Sequence, residues 1–290
     1  MPDDGRTTDH ARSGIGFLFG VLDARAVPGP ILVELMGLLD VAPGTTRQLL
    51  ARMLRQGDVQ RERVGRVSVY QLSGRYLERW LRLRHGDARP AWTGEFQVVV
   101  YDIAESSRAH RELLLSTAVR AGFAQLRPGL LIGLRPPDFL ADLRDDHPAD
   151  AAVEVGALAV DLPAAQRMAS RAWQLPEVAA ELRRATEALH SLLADNDTGP
   201  PGGHEALDRL WQAILLAGRP RYQAPLLPSD LVPSDWPADQ VQRLFSAVVD
   251  RHRMAAGHFL AEILATSPYA HLVRGGWWPE VSQQLMSASA

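Results

Sequence analysis

The chain has 290 residues, of which 46% are hydrophobic and 22% charged, and its formal net charge of −3 suits a globular protein of two or three domains. It contains no cysteine, which excludes disulfides, thiolate zinc sites and a cysteine nucleophile. No apolar run is long enough to span a membrane and the polar N-terminus lacks a signal-peptide pattern, so we expect a cytoplasmic protein.

The N-terminal part of the chain is predicted to be helical after a short polar arm. Residues 1–12 are expected to form this arm and to be disordered. An apolar stripe from Ile15 to Leu22 predicts the first helix, and a second stripe from Ile31 to Leu39 predicts another. A short connection leads from the second stripe to a third helix, which gives the helix-turn-helix pattern.

The third helix has one apolar face and one polar face. It is predicted to begin near Thr45, because Thr45 and Gln48 have the spacing of a capping box. Gly57 would supply the left-handed residue that follows the last turn. Between these limits the apolar side chains share one sector at 100° per residue, whereas the opposite face carries mainly arginine and glutamine. Such a helix can pack on a core and still present cationic and amide groups.

The residues after Gly57 alternate with a period of two, which is typical of strands. Gly65 divides them into two short runs and therefore predicts a hairpin, the wing of a winged helix-turn-helix domain over residues 13–86. Residues 45–84 contain ten arginines and three acidic residues, a formal charge of +7 within a chain of −3. This asymmetry indicates a phosphate-binding surface, and we expect double-stranded DNA as the partner. A protein-docking module and a merely solvated arginine face are the alternatives.

The residues expected to contact DNA lie on the third helix and the wing. Arginine is well suited to bidentate contact with guanine in the major groove, whereas contacts from the wing to the backbone would fix orientation. The predicted contact residues are Thr45, Thr46, Arg47, Gln48, Arg52, Arg55, Arg63, Gly65 and Arg66.

A second domain is predicted over residues 91–161. A strand at 96–101, a helix at 107–121, two strands separated by Pro128-Gly129, a short helix at 137–144 and a strand at 157–161 give the order β-α-β-β-α-β. This order is typical of a ferredoxin-like domain, which we expect to mediate dimerisation. Asp102 at the end of the first strand leaves open a dimeric metal-dependent nuclease, although an aspartate before a helix is more often solvated or a cap.

The remaining chain, residues 162–290, is predicted to be a helical domain. Helices are expected at 176–194, 205–217 and 238–264, with an extended proline-rich segment at 219–237. An effector would bind here, and its candidate contacts are Trp173, Trp211, Arg219, Arg221, Tyr222 and Trp236. The sequence has no nucleophile elbow, phosphate-binding loop or dinucleotide fingerprint, so no catalytic residue, metal or cofactor is predicted.

Several sequence blocks occur in the order found in one known family. They are VGRVSVYQLS in the wing, GF followed by LRPG at residues 122–129, RAWQL at 171–175 and LLPSDLVPSDWPADQVQRLF at 226–245. With these blocks the chain resembles the PaaX family, repressors of phenylacetate-catabolism operons that respond to an aryl-CoA thioester. Arg47 and Arg52 match arginines of the family's recognition helix.

The resemblance implies a regulator, not an enzyme. We expect a repressor that is released from DNA by an acyl-CoA thioester or another aromatic metabolite. A homodimer would place two recognition helices in successive major grooves, so the operator is expected to be an imperfect palindrome. A protein of this architecture recruited as a biosynthetic enzyme is the remaining alternative.

Overall fold

The protein has an α+β fold in which helices accompany two small antiparallel sheets. The computed structural model describes residues 4–85, 89–146, 151–194 and 202–275. Its helices are α1 (Asp4–Val21), α2 (Gly29–Gly37), α3 (Pro43–Arg55), α4 (Gly74–His85), α5 (Arg108–Arg120), α6 (Leu162–Ala172), α7 (Leu175–Ala194), α8 (Gly203–Gln223) and α9 (Ala238–Thr266). Its strands are β1 (Ala24–Pro28), β2 (Val59–Val64), β3 (Val67–Leu72), β4 (Glu95–Asp102), β5 (Ala124–Arg127), β6 (Leu130–Gly133), β7 (Ala152–Ala159) and β8 (Arg274–Gly275).

The chain divides into two compact units. The first comprises residues 1–86, 185–221 and 240–290, and the second comprises residues 87–184 and 222–239. The region 162–290, predicted as one helical domain, is therefore shared between the two units. Sequence periodicity could not reveal this division, because an amphipathic stripe shows that a helix packs on a core but not which core it joins.

The first helix begins earlier than the sequence predicted. Residues 4–12 are not an irregular arm but the first turns of α1, so this part of the prediction is wrong. Ile15, Leu18 and Phe19 of α1 are fully buried, and Ala11 is only 2% exposed. Once such a stripe is packed, each further residue adds a backbone hydrogen bond without a new nucleation cost, so the helix extends into the polar residues before it.

The sheet of the first unit has the strand order β2-β3-β1-β8. Strands β2 and β3 form the predicted hairpin, whose register runs from Val59 opposite Leu72 to Val64 opposite Val67. Gly65 has φ +60, which a two-residue loop with glycine in its first position requires. Strand β1 pairs with β3 on one side and with β8 on the other.

The sheet of the second unit has the order β5-β6-β4-β7 and all its neighbours are antiparallel. The turn at Pro128-Gly129 is confirmed, with Gly129 at φ +80. In place of the predicted second helix there is a 3-10 helix, Asp138–Asp146, and the last strand begins at Ala152. The sequence-based prediction began the last strand too late, because this strand is rich in alanine and glycine, which have weak strand preference.

The helix α8 also departs from the prediction. It continues to Gln223 with Pro220 inside it, so the extended segment expected from residue 219 begins only after the helix ends. Proline lacks the N–H that a helical residue donates four positions back, so Pro220 makes no such bond, and the helix ends three residues after it. Every helix within the described ranges is too short or too polar to cross a membrane.

Candidate nucleic-acid interface

The helix α3 begins at Pro43, two residues before the predicted start. Ala42 is its N-cap and makes no side-chain capping bond, so the capping box expected from Thr45 and Gln48 is wrong. Proline at the first helical position has a suitable φ and lacks an N–H that would have no helical partner there. At the other end the prediction is confirmed, because Gly57 follows the last turn with φ +73.

The two faces of α3 differ as the periodicity predicted. Leu49, Leu50 and Met53 are buried in the first unit. On the opposite face Thr45, Arg47, Gln48 and Arg55 are exposed and Arg52 is half-buried. Thr45, Gln48, Arg52 and Arg55 also line a shallow depression of about 340 Å³. These side chains give one helix face several hydrogen-bond donors that a polyanion can reach.

Thr46 does not belong to this exposed face. Its side chain is completely buried, and its Oγ1 donates a hydrogen bond to the carbonyl oxygen of Ala42 at 3.3 Å. The expectation that Thr46 contacts a ligand is therefore corrected. The hydroxyl satisfies the helix's own backbone, a common use of threonine within helices.

The hairpin of β2 and β3, predicted as a wing, carries a cluster of exposed cations. Arg61, Arg63 and Arg66 are all exposed around the tight turn at Gly65. The Nε of Arg63 donates a hydrogen bond to the carbonyl oxygen of Gly65 at 3.3 Å, which directs this side chain towards the tip of the hairpin. The fixed turn thus presents several exposed cations at the tip of a hairpin that belongs to the same unit as α3.

The base of this hairpin is held by a polar cluster that sequence reasoning missed. Arg12 forms an ion pair with Asp58 at 2.6 Å, and its guanidinium lies 5.1 Å from the centre of the Tyr76 ring. The Tyr76 hydroxyl donates to the carbonyl oxygen of Arg12 at 2.6 Å and accepts from the N–H of Gly16 at 3.1 Å. Trp80 Nε1 donates to the carbonyl oxygen of Gly16 at 2.8 Å. The cluster thus joins α1, the start of β2 and α4.

The candidate effector residues are divided between the two units. Trp173 and Trp236 belong to the second unit, where Trp236 is buried and the rings of Trp173 and Phe96 are 6.3 Å apart. Trp211 belongs to the first unit and packs on His10 and Phe17 with ring separations of 4.9 and 5.2 Å. These tryptophans therefore form core contacts, and their role in effector binding stays a prediction.

The candidate arginines of α8 have different environments. Arg219 is exposed, whereas burial lowers the pKa of Arg221 to about 10, so this guanidinium is still charged at neutral pH. The Nη2 of Arg221 donates to Gln242 Oε1, and its Cζ lies 4.4 Å from the centre of the Phe245 ring. The side chain of Tyr222 lies outside the described part of the structure.

Asp102, the residue of the nuclease alternative, is exposed at the end of β4. Its acidic neighbour in the sequence, Glu105, forms an ion pair with Arg111 at 2.8 Å. Within the described residues no group of three or more histidine and acidic side chains is arranged to hold a metal ion.

Comparisons with known proteins identify two matching regions. A family model described as PaaX-like protein matches residues 11–76, and a model described as PaaX-like protein C-terminal domain matches residues 173–262, together more than half of the chain. The solved structure of uncharacterized protein Rv0674 from Mycobacterium tuberculosis is similar at 23% identity and a TM-score of 0.44, covering 78% of this chain and 90% of that one. No curated protein matches the chain.

Proposed function

Because this chain belongs to the PaaX-like protein family, we propose that it is a DNA-binding transcriptional regulator whose α3 enters the major groove. The observation that carries the proposal is the exposed face of α3, where Arg47, Gln48, Arg52 and Arg55 lie together beside a basic hairpin. Guanidinium and amide groups are the side chains best suited to bind base edges and phosphates. No catalytic residue is assigned.

The local architecture supports a winged helix-turn-helix domain. The helices α2 and α3 are separated by a short turn, and both bury apolar residues in the same unit. The hairpin of β2 and β3 follows α3 directly and carries the cations of the wing. With α3 in the major groove, Arg63 and Arg66 would bind backbone phosphate or the minor groove and so fix the orientation of the protein.

The second unit is proposed to hold two copies of the chain together. Its strand order, with β4 between β6 and β7, supports a ferredoxin-like domain in which the 3-10 helix replaces the second α-helix. Strand β7 is at the edge of the sheet and most of its residues are exposed. When the β7 edges of two copies pair, each copy contributes the same surface, as a two-fold dimer requires. The dimer would then present two copies of α3 to the two halves of an imperfect palindrome.

The regulatory part of the proposal is repression by occupancy of a promoter. An acyl-CoA thioester or another aromatic metabolite would bind a state with lower affinity for DNA and so release the promoter. Such control is reciprocal: an effector that weakens DNA binding must itself bind the DNA-loaded protein more weakly. Candidate effectors can therefore be tested by comparing their affinity for the free protein with their affinity for the DNA-loaded protein, which does not require a transcription assay.

The first test is binding of the purified full chain to the intergenic DNA upstream of its own coding sequence. Arg47→Ala/Arg52→Ala removes two cations from α3 and is expected to weaken binding on the order of 100-fold, because one good base contact contributes about 1–3 kcal/mol. Affinity should also fall steeply with added salt as counterions are released. Electrophoretic mobility shift and fluorescence anisotropy would measure both effects.

The matched control is Arg108→Ala/Arg120→Ala. These two arginines are exposed on α5 of the second unit, so the control makes the same change in net charge in the unit that does not contain α3. Binding by this control should stay close to that of the unchanged protein. Equal loss in both variants, or equal affinity of the protein for unrelated DNA with no effect of either variant, would contradict the proposed function.

A further inference from the structure

The last described strand is part of the wing sheet although it is about 200 residues away from the wing in sequence. Strand β8 pairs with β1, with Gly275 opposite Ala24 and Arg274 opposite Ala26. Strand β1 in turn pairs with β3, the second strand of the wing hairpin. The segment that follows α9 therefore returns to the sheet that carries the proposed DNA-binding cations.

Arg274 contacts the acidic residue of the wing. Its Nη2 donates a hydrogen bond to Glu62 Oε2, and each of these two side chains is 49% exposed. Glu62 is the acidic residue of the β2–β3 hairpin, whose other charged residues are Arg61, Arg63 and Arg66. A half-exposed ion pair adds little to folding stability, so the main consequence of this contact is for the charge of the surface around it.

The carboxylate of Glu62 lies where it would oppose DNA binding. Glu62 is next to Arg63 in β2, and neighbouring residues of a strand are about 3.3 Å apart along its axis. Their side chains leave opposite faces of the strand, so a phosphate bound by Arg63 would be roughly 10–15 Å from the Glu62 carboxylate, well inside the Debye length of about 30 Å at 0.01 M salt. An unpaired carboxylate there would repel the phosphate, and a guanidinium bound to the carboxylate would cancel this repulsion.

We propose that Arg274 makes the C-terminal strand part of the DNA-binding surface by neutralising Glu62 beside the phosphate-binding arginines of the wing. Arg274 is a positioning residue, since it acts through Glu62. The inference rests on the proposed DNA-binding function and adds to it a contribution from outside the helix-turn-helix region. The wing is then incomplete without residues that follow the last helix.

The test is a double-mutant cycle in the full chain. Wild type, Glu62→Gln, Arg274→Gln and Glu62→Gln/Arg274→Gln are titrated with the upstream intergenic duplex at several salt concentrations. Arg274→Gln should weaken binding about twofold at low salt, the effect of one unit charge roughly 10 Å from a phosphate in water. The loss should shrink as salt rises, because added ions screen Glu62.

The other two variants separate charge from structural support. Glu62→Gln breaks the same ion pair but removes the repulsive charge, so it should bind DNA at least as tightly as wild type. The double variant restores the net charge of the pair to zero, so Glu62→Gln/Arg274→Gln should bind DNA like wild type. The control is Arg253→Gln, which removes an exposed arginine from an ion pair with Asp250 on α9 of the same unit. It should bind like wild type.

Three results would overturn the inference: no loss in Arg274→Gln, a double variant that binds DNA as weakly as Arg274→Gln, or an equal loss in Glu62→Gln alone. The Arg47→Ala/Arg52→Ala variant in the same assay separates this failure from failure of the proposed function. If that variant loses binding while Arg274→Gln does not, only the role of Arg274 is wrong. If wild type does not bind the duplex, both proposals fall.

Discussion

At the scale of single residues, His252 is a buried titratable group in the first unit. Its side chain is fully buried in α9, and neither ring nitrogen has a hydrogen-bond partner among the described residues. Burial lowers the pKa of His252 below its ordinary value of 6.5, and the nearby Arg251 and Arg209 lower it further while Glu205 opposes them. The folded protein therefore holds this imidazole in its neutral form.

This lowered pKa predicts a loss of stability in mild acid. Below pH 6.5 the unfolded chain gains a proton at His252 that the folded chain does not yet bind. The free energy of unfolding therefore falls as pH decreases from 6.5 to the folded pKa, by at most about 1.4 kcal/mol per pH unit. His252→Leu should remove this dependence and leave the variant as stable as wild type, or more stable, above pH 6.5.

Urea denaturation of both proteins on either side of pH 6.5 measures the effect. His258→Leu serves as control, since His258 is on the same helix but exposed. The difference between wild type and His252→Leu should widen as the pH is lowered. Parallel curves for these two proteins would show that His252 does not cause the acid sensitivity.

At the scale of elements, the start of α4 depends on a close backbone approach to the end of α3. Gly74 has φ +53, and a Cβ added there would lie 2.7 Å from the carbonyl oxygen of Gly57. Ser73 strengthens this junction. Its Oγ donates to the same carbonyl oxygen at 2.8 Å, and its N–H donates to the carbonyl oxygen of Asp58 at 2.9 Å. The end of α3, the start of the β2–β3 hairpin and α4 thus share one tightly packed corner.

Gly74→Ala should therefore destabilise the protein by about 2 kcal/mol or more, because the new methyl group meets backbone that cannot yield easily. Gly257→Ala is the matched control, since Gly257 is within α9 and a Cβ there meets no atom within 4 Å. That variant should gain up to about 1 kcal/mol from higher helix propensity. Thermal unfolding of both variants tests the pair, and similar changes in the two would contradict the role of the corner.

The sequence predicted those elements whose signals are local. The stripe of α3 was visible because Leu49, Leu50 and Met53 repeat at helical spacing, and Gly57 and Gly65 marked the left-handed positions that end the helix and turn the hairpin. Each of these features depends on residues only a few positions apart. Chain periodicity and turn chemistry are therefore sufficient to place them.

Features that depend on distant partners could not be predicted. Strand β8 consists of two residues and exists only because β1 offers a free edge, and β1 is itself a short segment ending in proline. The cluster of Arg12, Asp58 and Tyr76 joins residues 46 and 64 positions apart. Nothing in the pattern around any of these residues indicates its partner, which is why the sequence predicted α3 but not the contacts that support it.

At the scale of the whole molecule, the proposed dimer depends on the edge of the second sheet. Within the described chain β7 pairs with β4 alone, through eight residue pairs without a register shift. Val155 in its centre is 54% exposed, and Glu154 is the strand's charged residue. Long, regular and apolar edge strands are usually protected from uncontrolled pairing, and a second copy of the same strand would provide this protection.

Val155→Arg should separate the proposed dimer by placing two like charges near the two-fold axis, where their repulsion costs several kcal/mol and weakens association on the order of 100-fold.

The control is Val119→Arg, since Val119 is 67% exposed on α5 of the same unit but not on the sheet edge. Sedimentation equilibrium should give a dimer for wild type and Val119→Arg and a monomer for Val155→Arg. Footprints on the upstream DNA should shrink from two half-sites to one, because the monomer carries a single α3. A wild-type monomer, or a Val155→Arg dimer as stable as the control, would rule out β7 as the interface and leave the spacing of the recognition helices to another surface.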